Sequence, residues 1–193
     1  MKRAAALLLI LVLMPIEVLA GRASTYPKID RCLATRGRSW NYRANRCEPN
    51  ASGPVDRIFV DKSDRWMAVY REGRIIREFR VALGRGGLAP KVRQGDARVP
   101  EGQYRIVAHN PNSAFYLSLR IGYPTPEQSA AAAARGIDAG GDIMIHGLPN
   151  GRGWIGSRHS KLNWTEGCIA LTNAEMQWLY ASVPDGTPIE IRA

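Results

Sequence analysis

Asp142-Ile143-Met144-Ile145-His146-Gly147 and Thr165-Glu166-Gly167-Cys168-Ile169-Ala170-Leu171 decide how this chain is read. Each contains a short apolar run bounded by turn formers, the pattern of a buried strand and too short for a helix. The first run delivers His146 and the second delivers Cys168, with 21 residues between the two. A cysteine accepts an acyl group only as a thiolate, so an imidazole that can take its proton makes the pair a candidate nucleophile and base. Gly167, lacking a side chain, lets backbone amides approach an oxyanion closely. Gly147 offers a backbone carbonyl to orient the imidazole, the job a carboxylate performs in other triads.

Working outward, the first twenty residues join Lys2-Arg3 to an apolar run from Ala4 to Met14 and end in Val18-Leu19-Ala20. A basic start, an apolar core short of a membrane span and small residues before a cut read as a secretory signal peptide over 1–20, cleaved after Ala20. The alternative is an uncleaved anchor, the one route by which this chain would hold a membrane. Export makes the three cysteines informative. In an oxidising compartment two should pair and one should be left over. Cys32 and Cys47 are the natural couple, and closing that loop adds roughly 3 kcal/mol in the chain-entropy model; two unpaired thiols are the other reading. Cys168 is then the odd thiol. The formal charge of +10 favours anionic surfaces. Outside the cytoplasm these are cell-wall polymers or lipid head groups, not nucleic acid.

Residues 21–54 are polar and punctuated by Pro and Gly, which predicts an N-terminal extension stapled by the disulfide; residues 55–193 form the domain proper. Arg57 to Asp61, Trp66 to Arg71 and Arg74 to Leu83 read as a β-meander, with a hairpin at Glu72-Gly73. Gly84 to Gly102, with five glycines and two prolines, reads as a long irregular connection. Strands resume at Tyr104 to Ala108 and Phe115 to Ile121. Thr125-Pro126-Glu127-Gln128 and Thr172-Asn173-Ala174-Glu175 are capping boxes that predict two short helices. The second carries Met176, Leu179, Tyr180 and Val183 on one face. Thr187 to Arg192 closes the chain as a strand. Taken alone, this pattern supports a mainly β, β-rich α+β domain.

Two further histidines compete for roles. His109 sits in an Asn-Pro turn and reads as structural, whereas His159 is a second candidate imidazole for the site. His146, His159 and Cys168 could supply three zinc ligands, but no close-spaced HxxxH, HxH or CxxC pair accompanies them, so no metal or other cofactor is expected. Arg120, Arg152, Arg158 and Lys161 are candidate partners for substrate carboxylates.

At Ile145-His146-Gly147 and Thr165-Glu166-Gly167-Cys168 the chain resembles the YkuD-type L,D-transpeptidase family, whose mark is His-Gly followed about twenty residues later by Ser/Thr-x-Gly-Cys. Val99-Pro100-Glu101-Gly102-Gln103-Tyr104 is similar to the family's Pro-x-Gly-x-aromatic segment, and the resemblance covers about residues 56 to 192. Glu166 and Ala170 depart from the family's usual residues. With Leu117 to Pro124 and Asn163-Trp164-Thr165 they make the chain resemble the murein L,D-transpeptidase-like branch, which the resemblance associates with hydrolysis as well as joining. It implies a β-sandwich or distorted barrel with two short helices. It also implies a cysteine-dependent transpeptidase that acts on peptidoglycan stem peptides through a thioester, with Cys168, His146, Gly147 and Gly167 catalytic and His159, Trp164, Thr165, Arg152 and Arg120 near substrate. The alternatives are an L,D-carboxypeptidase or endopeptidase with the same site, a non-catalytic wall-binding protein, and a zinc-dependent wall peptidase. Acceptor, stem type and oligomeric state stay open.

Overall fold

The structure, a computed structural model, describes residues 38–41, 46–49 and 54–193. The signal-peptide segment and Cys32 lie outside the described residues. Strands β1 (Arg38–Asn41) and β2 (Arg46–Pro49) pair as a separate antiparallel two-stranded sheet in which Trp40 lies opposite Cys47.

Apolar alternation then builds β3 (Arg57–Asp61), β4 (Trp66–Arg71) and β5 (Arg74–Arg80) as the expected meander. Its Glu72-Gly73 turn has φ of 51° and 70°, the double positive φ that a right-twisted two-residue hairpin needs. With β6 (Gly102–Asn110), β7 (Ser118–Ile121), β8 (Met144–His146), β9 (Ile169–Ala170) and β10 (Pro188–Arg192) they form one sheet of eight strands in the order β5-β4-β3-β10-β6-β7-β8-β9. The closing strand β10 therefore lies in mid-sheet, parallel to β3 and antiparallel to β6.

The eight-stranded sheet curls into a half-barrel, in keeping with the expected sandwich or distorted-barrel architecture. The third predicted strand, now β5, stops at Arg80 and not at Leu83, because the next residues change partners. Ala82 and Ala170 exchange N–H···O bonds of 3.1 and 2.8 Å, and Thr165 N–H donates to Leu83 O at 3.1 Å. These bonds tie the β9 end of the sheet back to the chain leaving β5. The expected strand from Phe115 likewise begins only at Ser118: Ser113 Oγ and Asn150 Oδ1 accept the amides of Phe115 and Tyr116 at 3.1 and 2.9 Å, which diverts them from the ladder.

Ile58, Val60, Met67, Val69, Ile106, Leu119, Ile121, Ile145, Ile169, Leu171, Met176, Leu179, Ile189 and Ile191 fill the concave side. Each such side chain stabilises the fold by about 1.5–3 kcal/mol relative to exposure. Helices α1 (Pro126–Ala133) and α2 (Asn173–Ser182) both begin with the predicted reciprocal capping box. Helix α1 starts at Pro126, ahead of the alanine run, and buries no side chain; α2 buries Met176 and Leu179. A third helical piece, a 3-10 segment over Gly153–Lys161, was not expected, and it is broken at Gly156, whose φ is 54° and ψ −141°.

The long connection between β5 and β6 is held from within. Asp96 accepts the amides of Val92, Arg93 and Arg98 at 2.7, 3.0 and 3.1 Å and pairs with the buried Lys91 at 2.9 Å. Its far end is pinned by Lys62, wholly buried, which meets Glu101 at 2.7 Å and donates to Val99 O at 3.3 Å.

Candidate active site

Strands β8 and β9 run parallel with Ile145 opposite Ile169 and His146 opposite Ala170. Side chains alternate along a strand, so Ile143, Ile145, Ile169 and Leu171 enter the core while Met144, His146 and Cys168 share the other face. Extending the register by one residue sets Cys168 beside Met144, and Met144 lies opposite Arg120 on β7. A two-residue diagonal across neighbouring strands thus brings the predicted base and nucleophile together. Both line one cavity of about 520 Å³, with Asn110, Asn112, Phe115, Asp142, Trp164 and Glu166 around them.

His146 Nδ1 lies 2.7 Å from Gly147 O. A carbonyl only accepts, so Nδ1 carries the proton and Nε2 keeps its lone pair for a thiol. The ring is clamped by Phe115 at 4.5 Å and Trp164 at 5.7 Å between centroids. Gly147 is needed for close packing: a Cβ there would sit 2.9 Å from Asn173 Oδ1, which already accepts Leu148 N–H at 2.9 Å.

Thr165 Oγ1 donates to Cys168 O at 2.6 Å and accepts Gly167 N–H at 3.3 Å, a local turn that fixes the approach to the cysteine. Gly167 has φ of 123°, and a Cβ on it would meet Arg98 O at 2.8 Å, so a side chain is excluded on two counts. The Gly167 amide is engaged with Thr165.

The Cys168 S–H points to Asp142 O at 3.6 Å. Burial pushes the thiol above its ordinary value, with the Met144 amide and Lys91 opposing and the Asp142 carboxylate reinforcing. Burial pushes His146 below its ordinary value, against the Gly147 carbonyl and with the nearby His159 adding to the shift. Both shifts favour the neutral thiol and the neutral imidazole.

Of the other predicted residues, Trp164 and Thr165 line the cavity. His159 is buried next to His146 but does not line it, and burial lowers its pKa also. Arg120 stands one strand over from the site, bonded to Asp142 at 2.9 Å. Arg152 leads into the 3-10 segment, exposed and away from the cavity lining, as are Arg158 and Lys161 on that segment. His109 lies at the end of β6 and not in the turn; its ring nitrogens meet Asp185 Oδ1 at 2.7 Å and Tyr180 O at 3.1 Å, stapling β6 to α2. Asp142 and Phe115 were missed from sequence. The Gly140-Gly141 step marked a turn before Asp142, and nothing local marked Phe115. Among the described residues no three His, Cys, Asp or Glu side chains converge as a metal site requires.

The model of the YkuD family, the L,D-transpeptidase catalytic domain, matches residues 55–191. The chain belongs to this family. This chain is also 32% identical over 96 residues to the protein described as putative L,D-transpeptidase YafK of Escherichia coli (strain K12); the match covers 47% of this chain and 37% of YafK. The helical cell shape determining protein Pgp2 of Campylobacter jejuni, as its K307A mutant, superposes with a TM-score of 0.54 at 26% identity, covering 72% of this chain and 47% of Pgp2. Bd1075 of Bdellovibrio bacteriovorus shares the fold, at TM-score 0.50 and 24% identity over 72% of this chain and 48% of Bd1075. The chain thus spans half or less of the length of these relatives.

Proposed function

We propose that this YkuD domain is a cysteine-dependent L,D-transpeptidase acting on peptidoglycan stem peptides outside the cytoplasm. The observation that carries the reading is the placement of His146 and Cys168 on one face of adjacent strands, opening on one cavity, with His146 Nδ1 held by Gly147 O at 2.7 Å. Substrate binding brings a carbonyl to Cys168. His146 Nε2 takes the thiol proton as sulfur attacks, and the imidazolium then protonates the leaving amine of the D-amino acid. Starting from two neutral groups, the proton moves only as the C–S bond forms. The thioester is released by an amine, giving a crosslink or an anchored protein, or by water, giving a trimmed stem.

Transfer to an amine is the reading put forward, and hydrolysis at the same Cys168–His146 site is its alternative. The test supplies a tetrapeptide stem with and without excess amine and resolves the products by mass. Adducts are expected with amine present. Accumulation of the trimmed tripeptide alone would replace the transferase by a hydrolase, and binding without either product would make the domain a wall-binding module.

A further inference from the structure

The cavity around Cys168 is charged against the grain of the molecule. The chain carries a net +10, yet among the described residues lining the cavity are two carboxylates, Asp142 and Glu166, and no lysine or arginine. Each carboxylate is held by a guanidinium that is not among the lining residues: Asp142 by Arg120 at 2.9 Å, and Glu166 by Arg85 through two bonds of 2.8 and 3.0 Å. In each pair the acidic residue is among the cavity lining and the arginine is not. Asp142 stands in the segment entering β8, and its charge acts on the Cys168 thiol; Glu166 stands two residues ahead of Cys168.

Neither pair is built to stabilise the fold. The side chains of Arg85 and Glu166 are 64% and 70% exposed, and pairs of that exposure contribute about 0–1 kcal/mol. A carboxylate offers about four lone-pair positions, and the Arg85 fork occupies two. Glu166, a residue of the cavity lining, therefore has acceptor capacity left, and exchanging one cation for another on it costs little.

We infer that Glu166 is the subsite for the ammonium of the acceptor, binding a primary alkylammonium beside the thioester. The inference rests on the thioester reading above and deepens it. An alkyl amine arrives protonated at neutral pH, its pKa being about 10. Glu166 concentrates that cation next to Cys168, with Asp142 supplying further negative potential. The bound ammonium releases one proton to solvent, and the free amine attacks the thioester carbonyl. The C–N bond forms, the C–S bond breaks, and the second amine proton passes through His146 to the departing thiolate. The balance is thioester plus ammonium giving amide, thiol and one proton. Water needs no such subsite, so Glu166 acts on the partition between transfer and hydrolysis.

The experiment follows the partition of the acyl-enzyme formed from a tetrapeptide stem, in wild type and Glu166→Gln, with two acceptors: an alkylammonium and hydroxylamine, which is uncharged at neutral pH. Glu166→Gln is expected to raise the half-saturating concentration of the alkylammonium about tenfold and to leave that of hydroxylamine within twofold. The wild-type preference for the alkylammonium should weaken as salt is raised. An equal shift for both acceptors would reduce Glu166 to a structural residue, and no shift for either would remove it from the acceptor site. If the wild type forms no acyl-enzyme at all, the transpeptidase reading fails and the subsite with it; an acyl-enzyme with an unchanged partition overturns the subsite alone.

Discussion

Cys168 and His146 act as a unit in the proposed reaction, so their substitutions are expected to be severe and non-additive. Cys168→Ala should abolish the covalent adduct. His146→Ala should slow its formation by about 10²–10⁴-fold, and Glu166→Ala should cost far less at that step. Mass spectrometry of the acyl-enzyme over time measures all three, and an equal loss at Glu166 would bring a carboxylate into the acylation chemistry. The resting protonation states give a second expectation. His146 titrates below its ordinary value because it is buried. The imidazole therefore remains a neutral base as pH falls through about 6.5, and acylation is lost only below that. Burial raises the Cys168 thiol, so alkylation by iodoacetamide should climb past the ordinary cysteine value near 8.5 without a plateau at neutral pH. A plateau between pH 6 and 7 would instead reveal a resting thiolate–imidazolium pair.

The elements around the site hold it by close packing and buried polar bonds, and each can be loosened separately. Gly167→Ala places a methyl group 2.8 Å from Arg98 O at a φ of 123°. Backbone strain of this kind costs about 1–3 kcal/mol, so the variant should melt earlier and also lose acylation as β9 shifts. Asp96 staples the connection between β5 and β6. Burial alone would raise its carboxyl, but the Lys91 ammonium and three backbone amides outweigh that and hold it well below the usual carboxylate range. Its folded value is depressed, so its contribution to stability is fully present above the unfolded value of about 3.9 and is lost as pH falls below that. Asp96→Asn leaves Lys91 buried beside a neutral partner and should cost about 3 kcal/mol. Denaturant titration at neutral pH measures that loss, and the gap between variant and wild type should narrow towards pH 2. A pH-independent gap would mean that the carboxylate charge does not hold the loop.

At the scale of the whole molecule, export and disulfide pairing remain proposals: a mature chain beginning at Gly21, a Cys32-Cys47 bridge and a free Cys168. Intact mass before and after alkylation without reductant should show one reactive thiol, and three would dissolve the scheme. Much of the rest was legible in the sequence because it is written in local terms. The helix caps at Thr125 and Thr172 and the Glu72-Gly73 hairpin each depend on residues a few positions apart, and each recurs in the structure; the His-Gly and Gly-Cys pairs are local in the same way. The 3-10 segment was not legible, since Gly153–Lys161 has neither apolar periodicity nor a side-chain cap. Strand order, the return of Ala82 to Ala170, the clamp of Phe115 on His146 and the meeting of Asp142 and Glu166 in the lining of one cavity all join residues far apart in the chain. The sequence by itself determined which groups are chemically able to react, because that is a property of residue types and their neighbours. Only the tertiary structure decided which of them meet and which charges surround them, because sheet register and curvature are set by the burial of one face as a whole.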